Sequence, residues 1–252
     1  MISQCKRVGV ALVLTLATLS AQAGLTIQSW TTANGTRVYF VESRALPIVD
    51  VQVDFRAGGT EVAPGKAGLA GLTRGLLDAG AGELDEDAIA NRVADLGAQI
   101  GGGADMDRAS VSLRTLSSPA EREGAVALLA TLIQRPTFPA AAVEREKSRS
   151  IAGLKESDTQ PDAILSRRFA AAVFPDHPYG RLPSADSMAS LNREDLVDFH
   201  RRHYTAAGAV VSIVGDVSRS EAEAIATRLT GALPVGEAPV QPADATLAVG
   251  QT

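Results

Sequence analysis

The chain has 252 residues, a formal net charge of −5 and 45% apolar residues. Such a length accommodates one or two domains, and the composition is that of an ordinary globular protein. No basic excess is present, so a nucleic-acid partner held by a dominant cationic patch is not expected.

The N-terminus has the layout of an export signal. Lys6 and Arg7 precede an apolar run, Val8 to Leu19, that is too short for a typical membrane span, and Ala21-Gln22-Ala23 follows as a cleavage site. Residues 1–23 therefore read as a signal peptide, with the mature chain starting near Gly24. An uncleaved anchor is the alternative. Cys5, the only cysteine, precedes the apolar run, where a lipid-anchor cysteine would not stand, and leaves with the signal. The mature chain then carries no thiol, no disulfide and no membrane attachment, and the expected location is periplasmic or secreted.

Trp30 to Val41 reads as a hairpin turning at Asn34-Gly35. Val49 to Phe55 alternates apolar and polar residues with period two, which predicts a strand with one wet face. A glycine-rich loop, Arg56 to Lys66, leads into a helix from Gly68 to Leu77 with Leu69, Leu72 and Leu76 at helical spacing. Gly71 and Gly75 lie on one face of that helix, although interior glycine costs about 1 kcal/mol relative to alanine. Asp85 to Leu96 forms a second helix, stopped at Gly97. Gln99 to Ala104 and Arg108 to Leu116 read as two strands joined by a turn at Asp105-Met106-Asp107, the first weakened by Gly101, Gly102 and Gly103.

Ser118, Pro119 and Glu121 have the signature of a capping box opening a helix with Val126, Leu129 and Ile133 buried. A charged helix follows from Ala140 to Glu156, with Val143, Ile151 and Leu154 inward, and another from Pro161 with Ile164, Leu165 and Phe169 on its apolar side. Pro175 to Gly180 is a tight loop, and Asn192 to Asp195 caps a helix running to about Tyr204. Val210 to Val214 belongs to a continuous apolar strand, as in the centre of a sheet, and Ser218 to Glu221 boxes a last helix through Leu229. Residues 235–252 are rich in proline and alanine and read as a linker. The fold class is α+β: a largely antiparallel mixed sheet with helices packed on one face, formed by residues 24–234 as one domain.

No catalytic constellation emerges from the residues alone. His200 and His203 have a spacing that metal sites use, but no third ligand is set, and a solvated or packed pair is the plainer reading. His177 sits in a proline-rich turn, and no G-x-S-x-G elbow supplies a nucleophile for it. Gly101 to Gly103 lack the lysine and the strand-then-helix context of a phosphate loop. The acidic residues from Glu83 to Asp87 suit a helix start, and Glu144-Arg145-Glu146-Lys147 reads as a solvated face with internal ion pairs.

Three stretches together carry a resemblance. They are Val51 to Gly59 with Gly68-Leu69-Ala70, then His177-Pro178-Tyr179-Gly180-Arg181, and finally Leu196 to Thr205 leading into Val210 to Val214 and Gly215-Asp216-Val217. In order and content they resemble the insulinase/pitrilysin zinc peptidases, in the branch that includes the mitochondrial processing peptidases. The resemblance spans Gly24 to about Pro234.

In active members the helix after the first long strand bears H-x-x-E-H. Its histidines bind zinc, its glutamate is the general base, and a glutamate on the long downstream helix completes the ligand set. The resemblance places that motif on Gly71-Leu72-Thr73-Arg74-Gly75 and the downstream ligand near Ala152 or Gly153. Glycine has no side-chain ligand, and arginine is neither ligand nor base. The resemblance thus implies a non-catalytic subunit with no metal and no cofactor. It also implies a homologous zinc-binding peptidase as partner, and a peptide substrate adding to the sheet edge at Gly101, Gly102, Gly103 and Ala104. Family chains have two homologous halves. Only the first is seen here, which implies either a truncated product or a second half on a separate chain. A peptide- or protein-binding module without a peptidase partner is the rival reading.

Overall fold

Eight strands are found among the described residues: β1 (Gln28–Thr31), β2 (Arg37–Glu42), β3 (Ile48–Phe55), β4 (Gly80–Ala81), β5 (Leu84–Asp85), β6 (Gln99–Ala104), β7 (Ala109–Leu116) and β8 (Ala209–Gly215). The computed structural model describes residues 26–237, so the expected signal peptide and the tail beyond 237 lie outside it. Six strands form one sheet in the order β1-β2-β8-β3-β7-β6, and β4 and β5 form a separate ribbon. Four of the five pairings in the large sheet are antiparallel, and β2 with β8 is parallel.

β8 is central. Ile213 lies opposite Phe40 on one side and Val51 on the other. One side of the pleat is apolar: Val38, Phe40, Val51, Val53, Val111, Leu113, Val211 and Ile213 are all buried. The other side is polar. There Asp50 and Arg114, in register across β3 and β7, form an ion pair at 2.7 Å, and the Ser110 hydroxyl donates to Asp54 at 2.5 Å.

The helices are α1 (Leu69–Gly75), α2 (Glu86–Asp95), α3 (Pro119–Gln134), α4 (Ala140–Ser157), α5 (Pro161–Val173), α6 (Ala185–Ala189), α7 (Arg193–His203) and α8 (Arg219–Thr230). Leu72 of α1, Leu129 and Ile133 of α3, Leu196 and Phe199 of α7, and Leu229 of α8 share one cluster with the apolar side of the sheet. The expected α+β architecture, with helices on one face of a mixed sheet, is the one observed. Asn192 and Ser218 close the capping boxes of α7 and α8, and Asp85 accepts from the Ala88 amide to start α2.

Some expectations need correction. Ser118 precedes α3 but closes no capping box: its hydroxyl donates to the Glu121 carboxylate at 2.5 Å and accepts from no backbone amide. The run from Glu144 to Lys147 is not wholly solvated. Lys147 is buried with its ammonium 3.1 Å from Glu144, and Arg145 reaches across to Glu86 at 2.7 Å. The apolar side of α5 is not covered: Leu165 and Phe169 are 67% and 64% exposed. The β4–β5 ribbon and α6 were too short to give a periodic signal. No helix among the described residues is long and apolar enough to cross a membrane.

The central strand sets a stability test. Ile213 is fully buried, whereas Val214, its neighbour, is 43% exposed. Ile213→Ala should cost about 2–5 kcal/mol in urea denaturation, and Val214→Ala should cost less than about 1 kcal/mol.

Candidate functional site

The helix α1 buries Leu69, Ala70, Leu72, Thr73 and Arg74 and leaves Gly71 and Gly75 exposed. A Cβ built at Gly71 or at Gly75 would meet nothing within 4 Å, and the same holds at Gly153 on α4. Close packing therefore demands glycine at none of these positions.

Gly71 and Gly153 open on the same cavity. Its volume is about 600 Å³, and it lies between α1, α4, the β6–β7 turn and the segment before α6. Leu72, Ala104, Met106, Leu154, Pro183 and Met188 make most of its wall, with Ser150, Asp105 and Arg181 as polar neighbours. Gly75 and Ala152 are exposed but do not line it. The four residues Gly101 to Ala104 do not present one surface. Ala104 faces this cavity, while Gly101 borders a groove on the polar side of the sheet beside Gln52 and Ser212.

Gly102 lies beside Arg74. The Arg74 side chain runs from α1 under the sheet edge, only 8% exposed. Its Nε donates to the Ser110 carbonyl at 2.6 Å, and its Nη2 donates to the Gly101 carbonyl. Gly102, between those two strands' carbonyls, has φ +125°, and a Cβ there would stand 2.1 Å from the Ser110 oxygen and 2.8 Å from Arg74 Nη2. Backbone conformation and the guanidinium both require glycine at this one place. No carboxylate among the described residues lies within ion-pair distance of Arg74. Desolvation accordingly lowers its pKa, while Tyr204, fully buried nearby with no hydrogen-bond partner for its hydroxyl, is pushed up by the same cause.

These residues do not fit a zinc ion. Gly71, Gly75, Ala152 and Gly153 offer no side-chain lone pair, and the guanidinium of Arg74 is a cation committed to two carbonyls. Among the described residues no three His, Cys, Asp or Glu side chains converge elsewhere.

The histidines do not come together. His200 Nε2 donates to the Ile133 carbonyl at 2.8 Å, and its ring stacks on Tyr204 with centroids 4.6 Å apart. His203 lies 3.9 Å from Glu61 and against Phe199. His177 accepts from the Tyr179 amide at 3.2 Å, a turn residue bonding locally.

Burial holds His200 and His203 below their ordinary value of 6.5. The unfolded chain then binds protons that the folded state resists, so this stability is present above pH 6.5 and is lost as pH falls below it. The urea midpoint should drop between pH 7 and pH 5, and the drop should be shallower for His200→Gln. A second outcome concerns the sheet edge. Arg74→Met frees the carbonyls of Gly101 and Ser110, so amide exchange measured by mass spectrometry should accelerate about tenfold over residues 99–104. Exchange in β3 and β8 should stay as it is.

Comparison with known proteins gives the family. The model described as insulinase (peptidase family M16) matches residues 17–184, and the one described as peptidase M16 inactive domain matches residues 190–251. The crystal structure of a peptidase M16 inactive domain from Pseudomonas fluorescens is 37% identical, with a TM-score of 0.85, over 88% of this chain and 54% of that one. An uncharacterized zinc protease of Rickettsia bellii is 23% identical over 81% of this chain and 50% of its own length. A probable mitochondrial-processing peptidase subunit beta of Arabidopsis thaliana is 24% identical over 76% of this chain and 36% of its own length. The chain thus spans about half, or less, of the relatives it matches. With the first family model covering two thirds of its residues, the chain belongs to the insulinase family, peptidase family M16.

Proposed function

We propose that the chain is a non-catalytic insulinase-family subunit, exported to the periplasm after removal of residues 1–23. It pairs with a homologous zinc-binding peptidase and helps to enclose and select peptide substrates. Its folded unit is residues 24–234, and any hydrolysis resides in the partner. The observation that carries this reading is Arg74. The family's general base is expected at that position, and there the chain has a buried cation hydrogen-bonded to Gly101 and Ser110. Gly71, Gly75 and the pair Ala152 and Gly153, at the expected ligand positions, add no donor.

One further observation supports pairing. Leu165 and Phe169, one helical turn apart on α5, present an uncovered apolar face. A homologous half seated there would cover it.

The test is capture of the tagged mature chain from periplasmic extract of the native host, followed by mass spectrometry. Recovery of a homologue with an intact H-x-x-E-H motif is expected. Burying each exposed side chain would contribute about 1.5–3 kcal/mol, so Leu165→Asp with Phe169→Asp should lower recovery at least about tenfold without unfolding the chain. Absence of such a homologue from the captured material, while the host expresses it, would favour a stand-alone peptide-binding module.

A further inference from the structure

The cavity over Gly71 has one unmet charge. Arg181 is a half-buried cation on its wall, with no carboxylate within ion-pair reach among the described residues, and its Nη1 donates only to the Val62 carbonyl at 3.4 Å. The acid on the same wall is already engaged: Asp105 Oδ1 accepts from the amides of Asp107 and Arg108 at 2.8 and 2.9 Å, and Oδ2 lies 3.5 Å from Arg108 Nε. Leu72, Leu154 and Met188 make the rest of the surface apolar. A volume of about 600 Å³ is within the usual range for a bound small group, and part of that space exists because Gly71 and Gly153 have no side chains. The complementary ligand is therefore an apolar group bearing a single carboxylate.

Ala104 decides what kind of molecule carries it. This residue lines the cavity and ends β6, which among the described residues has β7 as its only neighbour in the sheet. The other edge of β6 offers its main-chain groups to an extended chain. We propose that the cavity takes the C-terminal residue of a peptide laid along β6, its bulky apolar side chain over Gly71 and its α-carboxylate on Arg181. The inference rests on the non-catalytic reading, and it gives that reading a ligand class: peptides with a free, apolar C-terminus.

The test uses the full mature chain and fluorescence anisotropy. The probes are a fluorescein-labelled hexapeptide ending in phenylalanine, as free acid and as amide, and the same peptide ending in aspartate. The free acid ending in phenylalanine should bind at least about tenfold more tightly than either other probe, since a charge-assisted hydrogen bond and an apolar contact are each lost in turn. Arg181→Gln should abolish the preference for acid over amide, and Arg181→Lys should retain part of it. Gly71→Leu favours the helix and fills the cavity, and should weaken the acid about tenfold.

Equal binding of acid and amide, or an unchanged affinity in Gly71→Leu, would overturn the proposal. Displacement of the peptide by decanoate at its own Kd would reassign the cavity to free carboxylic acids and overturn the peptide assignment. Capture of the zinc-bearing homologue, run in parallel on Arg181→Gln, separates the two readings. Capture retained with the acid preference lost supports both. Capture absent from the unmodified chain with the preference intact would sink the pairing and leave the cavity assignment standing.

Discussion

The sheet is complete only when Ala209–Gly215 reaches its centre. β8 pairs in parallel with β2 and antiparallel with β3, and without it the β1–β2 hairpin has no neighbour in the sheet. Its inner residues, Ala209, Val211 and Ile213, share one apolar cluster with the helices, so that layer joins strands paired across 173 residues of chain, Arg37 with Val210. The stretches matched by the two family models are therefore not two structural layers. Residues 17–184 contribute five strands of the large sheet, and residues 190–251 contribute the central one.

That central sheet holds α1 at a fixed height over the β6 edge. From there, one side chain goes beneath the edge and one position faces outward. Arg74 joins the helix to two neighbouring strands through their carbonyls, and Gly71 leaves an apolar hollow where a larger residue would stand. The same turn of helix thus contributes a strut and a space. A buried guanidinium without a carboxylate is costly to desolvate, and two charge-assisted hydrogen bonds to backbone oxygen offset that cost. The edge strand gains a support that its three consecutive glycines cannot provide.

Most of the fold was legible because burial repeats with the period of each element. Val49 to Phe55 and Ala109 to Leu113 alternate in sequence and alternate in burial, and the unbroken apolar run at Val210 to Val214 pointed to a central strand. Capping boxes at Asn192 and Ser218 are local, so a local reading found them. At Ser118 the same letters gave no box: the hydroxyl reaches the Glu121 carboxylate but no helix amide reaches the hydroxyl. The candidate site was less legible. Gly101, Gly102 and Gly103 look alike in sequence, yet Gly101 gives its carbonyl to Arg74, only Gly102 would set a Cβ against that guanidinium, and the fold brings Arg74 there from 28 residues before Gly102. The apolar face of α5 was visible as a stripe, but a stripe does not say whether its cover lies in the same chain.

The contact between Arg74 and the Gly101 and Ser110 carbonyls also bears on substitution at position 74. A glutamate placed at position 74 would leave the Gly101 and Ser110 carbonyls without the donors they now have. That one change would weaken the sheet edge whether or not histidines stood at positions 71 and 75. Gaining a base at this position therefore means giving up the strut that the edge strand now uses, so the fold itself opposes that substitution.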